Sequence, residues 1–504
     1  MRIKYIICLV ALTAIGKSSF AQYAKDAVRF STAQTGTTSR VKALGGANVS
    51  VGGDLTSVGG NPAGLGFFTR SEASITPEFD GTKNNATYLG QSSTQSKNSG
   101  NLNNVAAVFY SRLNSPRGTD KTKGWLSMNF GLGYARTNDF GEKIAFGGTN
   151  QTSTINDYYG SLATSSGIQG DFVQGYAYDH NLIDRYSTNP DVYKSNNPHT
   201  TSGSNTVLTT PVTQANNILR TGGQSEFNLS LGANYSNKLY LGFGIGITSL
   251  NYNSTNIFNE AGVVSVDEGT ATVPLYVNRN YNSTYSQYQN TKGAGVNAKI
   301  GLIYKIDEMV RLGAQITSPT LMSIDDAFSE GLNTQLSSNT KYTSMSPDYT
   351  LSYTMRTPFK AAGGLSVFLG KAGFITGDIE YVNYSSTRIN KTDGYDPAYD
   401  NSVIRNTYKG AVNIRGGAEI KVVSNFMLRG GYGIMGSPLK TDGKNTTMAT
   451  GGLGYRFGTY YIDAAYQHVS GTQNINPYLL GSASPAANVT RTNDNLFLTL
   501  GMRF

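Results

Sequence analysis

The chain has 504 residues and a formal net charge of +9, yet only 14% of its residues are charged and 38% hydrophobic. That charge content is well below the roughly 25% of soluble globular proteins; 59 Gly, 33 Tyr and abundant Asn, Ser and Thr fill the difference. A single cysteine (Cys8) excludes a disulfide framework and thiolate metal sites, the three histidines (His180, His199, His468) argue against a His-rich one, and the dilute basic residues give no nucleic-acid footprint.

The N-terminus reads as a cleaved secretory leader over residues 1–21. Arg2 and Lys4 precede an apolar run from Tyr5 to Ile15, and Ser19-Phe20-Ala21 fits a small-x-small cleavage site. After it, no stretch of about 18 apolar residues remains, so a helical membrane span is excluded.

Residues 22–70 are Gly-rich and lack strand alternation. Within them, 39–65 reads SRVKALGGANVSVGGDLTSVGGNPAGL, a run of small residues ending in an Asn61-Pro62 turn. It is too polar to face lipid.

From residue 71 the signal is period two. Phe227, Leu229, Leu231, Ala233 and Tyr235 alternate with polar or small residues, as do Val296, Ala298, Ile300, Leu302 and Tyr304. The chain ends with Leu496, Leu498, Leu500, Met502 and Phe504 on one face. Candidate strands are 71–80, 103–112, 125–137, 225–236, 239–253, 293–305, 309–318, 347–370, 373–388, 410–421, 425–436, 447–457, 459–470 and 493–504. Fourteen is an even number, the strands are longer than the usual five or six residues, and short turns alternate with long connections. These features predict an all-β, 14-stranded antiparallel transmembrane barrel over 71–504, with both termini periplasmic. The long connections 81–102, 138–224, 254–292, 319–346, 389–409, 437–446 and 471–492 then lie outside the cell, and 113–124 is a longer periplasmic turn. The largest loop, 138–224, holds a helical candidate at 171–186. Segment 347–370 contains Pro358, but its unbroken register predicts one strand kinked there.

The segment before the barrel resembles the outer-membrane family of long-chain fatty-acid and aromatic-hydrocarbon channels (FadL/TodX-like). Ala43-Leu44-Gly45-Gly46-Ala47, Asp54 and above all Asn61-Pro62-Ala63-Gly64-Leu65 carry the resemblance. Ser318-Pro319, Arg356-Thr357-Pro358, Leu428-Arg429-Gly430-Gly431-Tyr432 and Ser437-Pro438 extend it in order along the chain. The resemblance implies an N-terminal hatch (22–70) inside the lumen. It further implies passive uptake of hydrophobic small molecules, fatty-acid-like by expectation, through loop capture, hatch movement and sideways exit into the membrane. The exit is expected at the third strand, where Gly131 and Gly133 either weaken the ladder or merely relieve crowding. By strand parity Lys299, Arg415 and Arg429 face the lumen, to meet a ligand head group or to pair with Glu419, Asp378 and Glu380. Phe504 resembles the terminal aromatic read by the barrel assembly machinery.

The expected setting is the outer membrane of a Gram-negative bacterium, as a monomer among lipid and lipopolysaccharide, with no cofactor, metal or catalysis. The alternative is a surface binding or adhesion protein without transport. Gly431 to Gly436 matches a dinucleotide-binding pattern, but inside a strand with no following helix. Asp393, Asp396 and Asp400 crowd one outer loop without a Ca²⁺-binding pattern. His468 reads as a surface residue near a strand end.

Overall fold

In a computed structural model the described residues are 20–32, 34, 36–114, 120–186, 189–202, 205–270 and 273–504. The expected leader lies outside them except for its last two residues, as do residues 115–119 of the 113–124 turn.

Helix α1 (Phe20–Ser31) and the short α2 (Ser39–Ala43) come first. The wall begins with β1 (Glu72–Tyr88), β2 (Gln91–Phe109), β3 (Trp125–Asp139) and β4 (Glu142–Asn150). An outer cap follows: α3 (Ile155–Ser166), α4 (Val173–Asp179), β5 (Ile183–Tyr186), β6 (Asn189–Ser195), β7 (His199–Ser202) and β8 (Asn205–Leu208). The wall resumes with β9 (Val212–Tyr235), β10 (Leu239–Asp267), β11 (Tyr276–Lys305), β12 (Val310–Thr317) and β13 (Leu321–Leu336). Then come β14 (Lys341–Met345), β15 (Tyr349–Arg356), β16 (Lys360–Phe368), β17 (Gly373–Asn383), β18 (Arg388–Ile389) and helix α5 (Ala398–Thr407). The last strands are β19 (Gly410–Val423), β20 (Phe426–Met435), β21 (Thr446–Phe457), β22 (Tyr460–Ile475) and β23 (Ala487–Arg503).

Several of these strands share one position in the wall. β4 continues β3 along β9, and β12 and β13 both run along β11. β14, β15 and β16 line up against β13 and β12, and β18 extends β17. β23 pairs back onto β1, with Leu500 opposite Ile75. The result is the expected closed antiparallel barrel of 14 strands.

The outward face explains why these sequences make a membrane wall. On β10, Leu241, Phe243, Ile245 and Ile247 point outward and are exposed, as are Leu496, Leu498, Leu500 and Met502 on β23. From Leu239 to Ile247 is eight steps, about 27 Å along the strand and ~21 Å in height at a tilt of ~40°, close to the ~25 Å apolar band of such barrels. Aromatic residues ring both edges: Trp125, Tyr235, Tyr304, Tyr460 and Phe504 at the turn side, Phe79, Phe227, Tyr381, Tyr432 and Tyr466 at the other. The inward face is polar, with Ser74, Thr76, Glu78 and Asp80 buried in succession on β1.

Two expectations about the wall are corrected. The connections 81–102, 254–292 and 319–346 are largely strand: β1 and β2 meet at a turn of Leu89 and Gly90, and β10 pairs with β11 from Leu239 to Asp267. Above the band the outward residues become Ser, Thr, Asn and Gln, so hydrophobic alternation ends while the strand continues. Likewise, 138–224 opens with β4 and closes with the first half of β9, and its helical candidate is confined to Val173–Asp179. Segment 347–370 keeps one wall position, but it is interrupted rather than only kinked, and its register is not unbroken: Tyr353 and Met355 face inward, whereas Leu365 faces outward. β15 stops at Arg356 and β16 starts at Lys360, opposite a matching break at 318–320. Thr320 N donates to Thr357 Oγ1 (2.8 Å) and Thr357 N to Thr320 O (3.0 Å), bridging the double break left by two prolines that cannot donate.

Candidate functional site

The site is the plugged lumen. Three side-chain caps shape the plug: Thr38 opens α2, Asp54 accepts from Thr56 N, and Asn61 accepts from Ala63 N, with Pro62 at the first position of the turn Pro62–Phe67. Asn61 also turns its amide outward. Its Nδ2 donates to Val49 O (2.7 Å) and, more weakly, to Leu302 O and Ala314 O in the wall. Leu65 is fully buried beside Val58, Ala106 and Val108. Gly64 is needed because a Cβ there would collide with Ser57.

The plug rests on a row of wall glycines. Gly232, Gly242 and Gly301 pair directly across β9, β10 and β11. A Cβ on Gly232 would fall 2.5 Å from Leu65 Cβ, one on Gly242 2.5 Å from Pro62 O, and one on Gly301 would strike Asn61. Gly131 on β3 has the same setting, 2.8 Å from Val58 Cγ2. Of these four only Gly131 stands out in the sequence, and there as part of an exit, although each glycine sits at a lumen-facing parity position.

Charge then ties plug to wall. Asp378 accepts from Asn48 N (2.6 Å) and Val49 N (2.9 Å). Arg40 of α2 forks onto Glu419 (2.8 and 3.1 Å), which also accepts from Arg429 Nε (2.7 Å), and Arg429 reaches Asp463. Lys299 donates to Gly59 O (2.8 Å) and Asn228 and pairs with Glu226. Of the three cations expected in the lumen, Lys299 and Arg429 are thus engaged in anchoring the plug. Arg415 pairs with Glu380 (3.1 Å) and lines the inner cavity. Such buried pairs fix geometry more surely than they add stability.

The wall is weakest between β2 and β3. Their ladder runs only from Phe109–Phe130 to Asn104–Ala135; above it β2 pairs with β1 alone. Gly131 and Gly133 lie within the paired part, opposite Val108 and Ala106. A bulge in β2 at Asn103 turns two consecutive asparagines inward. Asn103 Nδ2 donates to Thr37 O, Gln34 N donates to Thr137 O (2.8 Å), and Gly36 sits so close to Asn103 and Arg136 that a Cβ would clash with both backbones. The plug's leading segment is therefore wedged into the end of the ladder. The signal in the sequence was Asn103-Asn104 interrupting the alternation. Just outside, an apolar groove of about 570 Å³ is lined by Ile75, Val105, Ala107, Tyr134, Phe227 and Leu500.

Inside, cavities of about 130 and 480 Å³ flank Gln34 and Lys42 and are mainly polar, with Thr137, Arg415 and Glu380 in their walls. The apolar volume lies further out and is filled by α1. Ala24, Ala27, Val28 and Phe30 pack into a ring that includes Phe140, Tyr252, Ile324, Tyr353, Tyr395 and Ile404. Asp400 accepts from Ala24 N (3.2 Å) and Tyr395 OH; Gln289 bridges Asp26 and Asp326. Burial pushes the Asp326 and Asp400 carboxyls up to about 6. Asp393, Asp396 and Asp400 do not converge, since Asp396 caps Ala398 N, and the described residues hold no metal-ligating cluster.

The cap is fastened by two buried carboxylates from the wall. Glu260 accepts from Ile155 N, Thr154 and Tyr281 at the start of α3, and Glu330 from Val173 N and Tyr285 OH at the start of α4. Burial pushes His180 on this cap down to about 4, so it is neutral. His468 sits on the outward face beside Asp494 (2.7 Å), and Gly431 to Gly436 runs through β20 and its end with no helix following. Phe504 N donates to Ser71 O (2.9 Å), closing the last strand onto the first.

Fold and plug together define a closed transmembrane β-barrel whose lumen is stoppered by its own N-terminal segment. The same architecture is found in the Pseudomonas aeruginosa FadL homologue (TM-score 0.53, 13% identity, covering 94% of this chain and 99% of that one). It recurs in the P. putida toluene transporter TodX (TM-score 0.50, 12% identity, 94% and 99% covered). No family model matches the chain. No curated protein matches it either. At such identities the likeness is one of fold, and it agrees with the resemblance carried by residues 43–65.

Proposed function

We propose that the protein is an outer-membrane channel for passive uptake of hydrophobic small molecules, exported through a cleaved leader and working as a monomer. The observation that carries this reading is the wedge of Gln34, Gly36 and Thr37 at the end of the β2–β3 ladder, with an apolar groove directly outside it. A ligand leaving there enters lipid without crossing water. The structural neighbours, a FadL homologue and a toluene transporter, support the same class of cargo.

The ring around α1 is the ligand chamber: apolar, aromatic and edged by Asp326, Asp400 and Arg29. The helix stands where the ligand would lie, so capture displaces it, and the plug movement that follows frees Gln34, Gly36 and Thr37. Gly133, two residue pairs below the end of the ladder, marks the lower lip of the exit. Arg415, lining the inner cavity, is the lumen cation best placed to meet a carboxylate head group in transit. Long-chain fatty acids fit the chamber's aromatic and aliphatic walls.

The test is uptake of radiolabelled oleate and toluene by cells lacking their own carriers, with and without this protein. Uptake that requires the protein, and that rises on deletion of residues 22–31, supports the reading. Equal uptake by both strains overturns it.

A further inference from the structure

The outward face carries a charge arrangement that plug, chamber and exit do not use. Arg356 ends β15 and Arg388 opens β18, and the two are directly opposite in the ladder. Their neighbours Met355 and Ile389 are buried inward, so both guanidinium groups point away from the lumen. Like charges in a cross-strand pair repel. Arg405 on α5 adds to the repulsion: partial burial, then Arg405 and Arg356, hold Arg388 below the usual guanidinium range. Lys440 Nζ donates to Arg405 O (2.7 Å), placing a fourth cation at the margin. Among the described residues no carboxylate lies within 4.0 Å of any of the four. The nearest outward acid in the β13–β15 ladder, Asp325, is engaged by Ser352 (2.6 Å).

The height of this group decides what it meets. Leu321 lies opposite Arg356 on β13 and is 59% exposed; it is the last apolar outward residue before Ser323 and Asp325. Phe359 and Tyr381 are exposed at the same edge. The arginines therefore stand at head-group level on the side opposite the tight turns, above a surface suited to acyl chains. Arg388 is also set in place before any ligand arrives, since Nη1 donates to Ser385 O (2.8 Å) and Thr387 O (2.7 Å). Planar guanidinium forks match phosphate oxygens in pairs, which a hydrated ammonium does not.

We propose that Arg356, Arg388 and Arg405, with Lys440 beside them, form a site for the phosphate of a phosphorylated glycolipid of the outer leaflet. The site rests on the outer-membrane setting but not on transport. Its anion relieves a repulsion that the isolated protein carries, so the lipid braces the doubly broken region where β12–β13 and β15–β16 are interrupted.

The experiment is native mass spectrometry of the full protein released from detergent, titrated with diphosphorylated lipid A, dephosphorylated lipid A and phosphatidylglycerol. Wild type is expected to retain one diphosphorylated lipid A, and Arg356→Gln/Arg388→Gln to bind it roughly thirtyfold more weakly, from the typical attraction per arginine near an anionic surface. Lys83→Gln, on the outward face of β1, should bind as wild type. Heat-modifiable migration confirms that each variant is a folded barrel. Equal retention by wild type and the double variant overturns the proposal. So does retention of dephosphorylated lipid A or phosphatidylglycerol as tight as that of the diphosphorylated lipid.

Discussion

Replacing Gly242 by valine tests the glycine seat of the plug. A Cβ at this position falls 2.5 Å from Pro62 O and closer still to Ala63 N, both backbone atoms of the plug. Restoring an ordinary contact needs a shift of about 1 Å, and valine's two methyl groups add to it. Such a shift stretches Asn129 Nδ2 to Leu65 O (2.6 Å) and to Phe68 O (3.0 Å), and Ser230 Oγ to Val58 O (2.7 Å), past hydrogen-bonding range. Three bonds at about 1 kcal/mol each, plus ~1–3 kcal/mol of overpacking, make about 4–6 kcal/mol. That moves the plug between seated and released by roughly 10³- to 10⁴-fold. The barrel itself is untouched, because the new side chain points into the lumen. Gly377→Ala is the control: it faces outward with its nearest neighbour at 3.7 Å. Planar-bilayer conductance and protease sensitivity of residues 36–68 are the readouts. Gly242→Val should conduct and be cut, and Gly377→Ala should do neither. A valine variant as closed and protected as wild type would refute the reasoning.

Other expectations follow from the same geometry. Asn103→Ala removes the bond to Thr37 O and should loosen the wedge by about 1–2 kcal/mol, seen as faster hydrogen exchange at Thr37 and Thr38 with the β1–β23 ladder unchanged. Docking of α1 should weaken as pH rises. Asp326 and Asp400 are raised by burial to about 6, so their contribution is full below about pH 4 and is lost as pH passes 6; exchange of α1 amides should speed up between pH 5 and 7, and Asp326→Asn/Asp400→Asn should flatten the dependence. Glu330→Ala strips the start of α4 of its carboxylate and leaves the Tyr285 hydroxyl, which still accepts from Gln287, without its acceptor, a loss of about 1.5–3 kcal/mol that should appear as early proteolysis within 171–186 while the barrel stays heat-modifiable.

The fourteen wall positions were legible because lipid on one side and water on the other impose strict alternation, as in Phe227 to Tyr235. That signal ends where lipid ends, so the upper halves of β1, β2, β10 and β11, and all of β13, read as loops. The plug was legible through Asn61-Pro62-Ala63-Gly64-Leu65 and the resemblance it carries. Its seat was not: Gly232, Gly242 and Gly301 look like ordinary barrel glycines until the register aligns them under Pro62 and Leu65. Parity placed Lys299, Arg415 and Arg429 inward, and geometry then engaged each of them with carboxylates. The apolar ring around α1 is not legible, because Leu250, Tyr252 and Tyr353 match the lipid-facing residues in type but point inward.

In the proposed route, cargo passes through the lumen only when the plug moves. Ser50 of the plug and Ser366 of β16 face each other with their Oγ atoms 2.6 Å apart, so Ser50→Cys/Ser366→Cys offers a reversible lock. Oleate uptake by cells carrying this variant should be absent when the disulfide is formed and return to the wild-type rate on reduction. Uptake at the wild-type rate with the disulfide fully formed would contradict the claim.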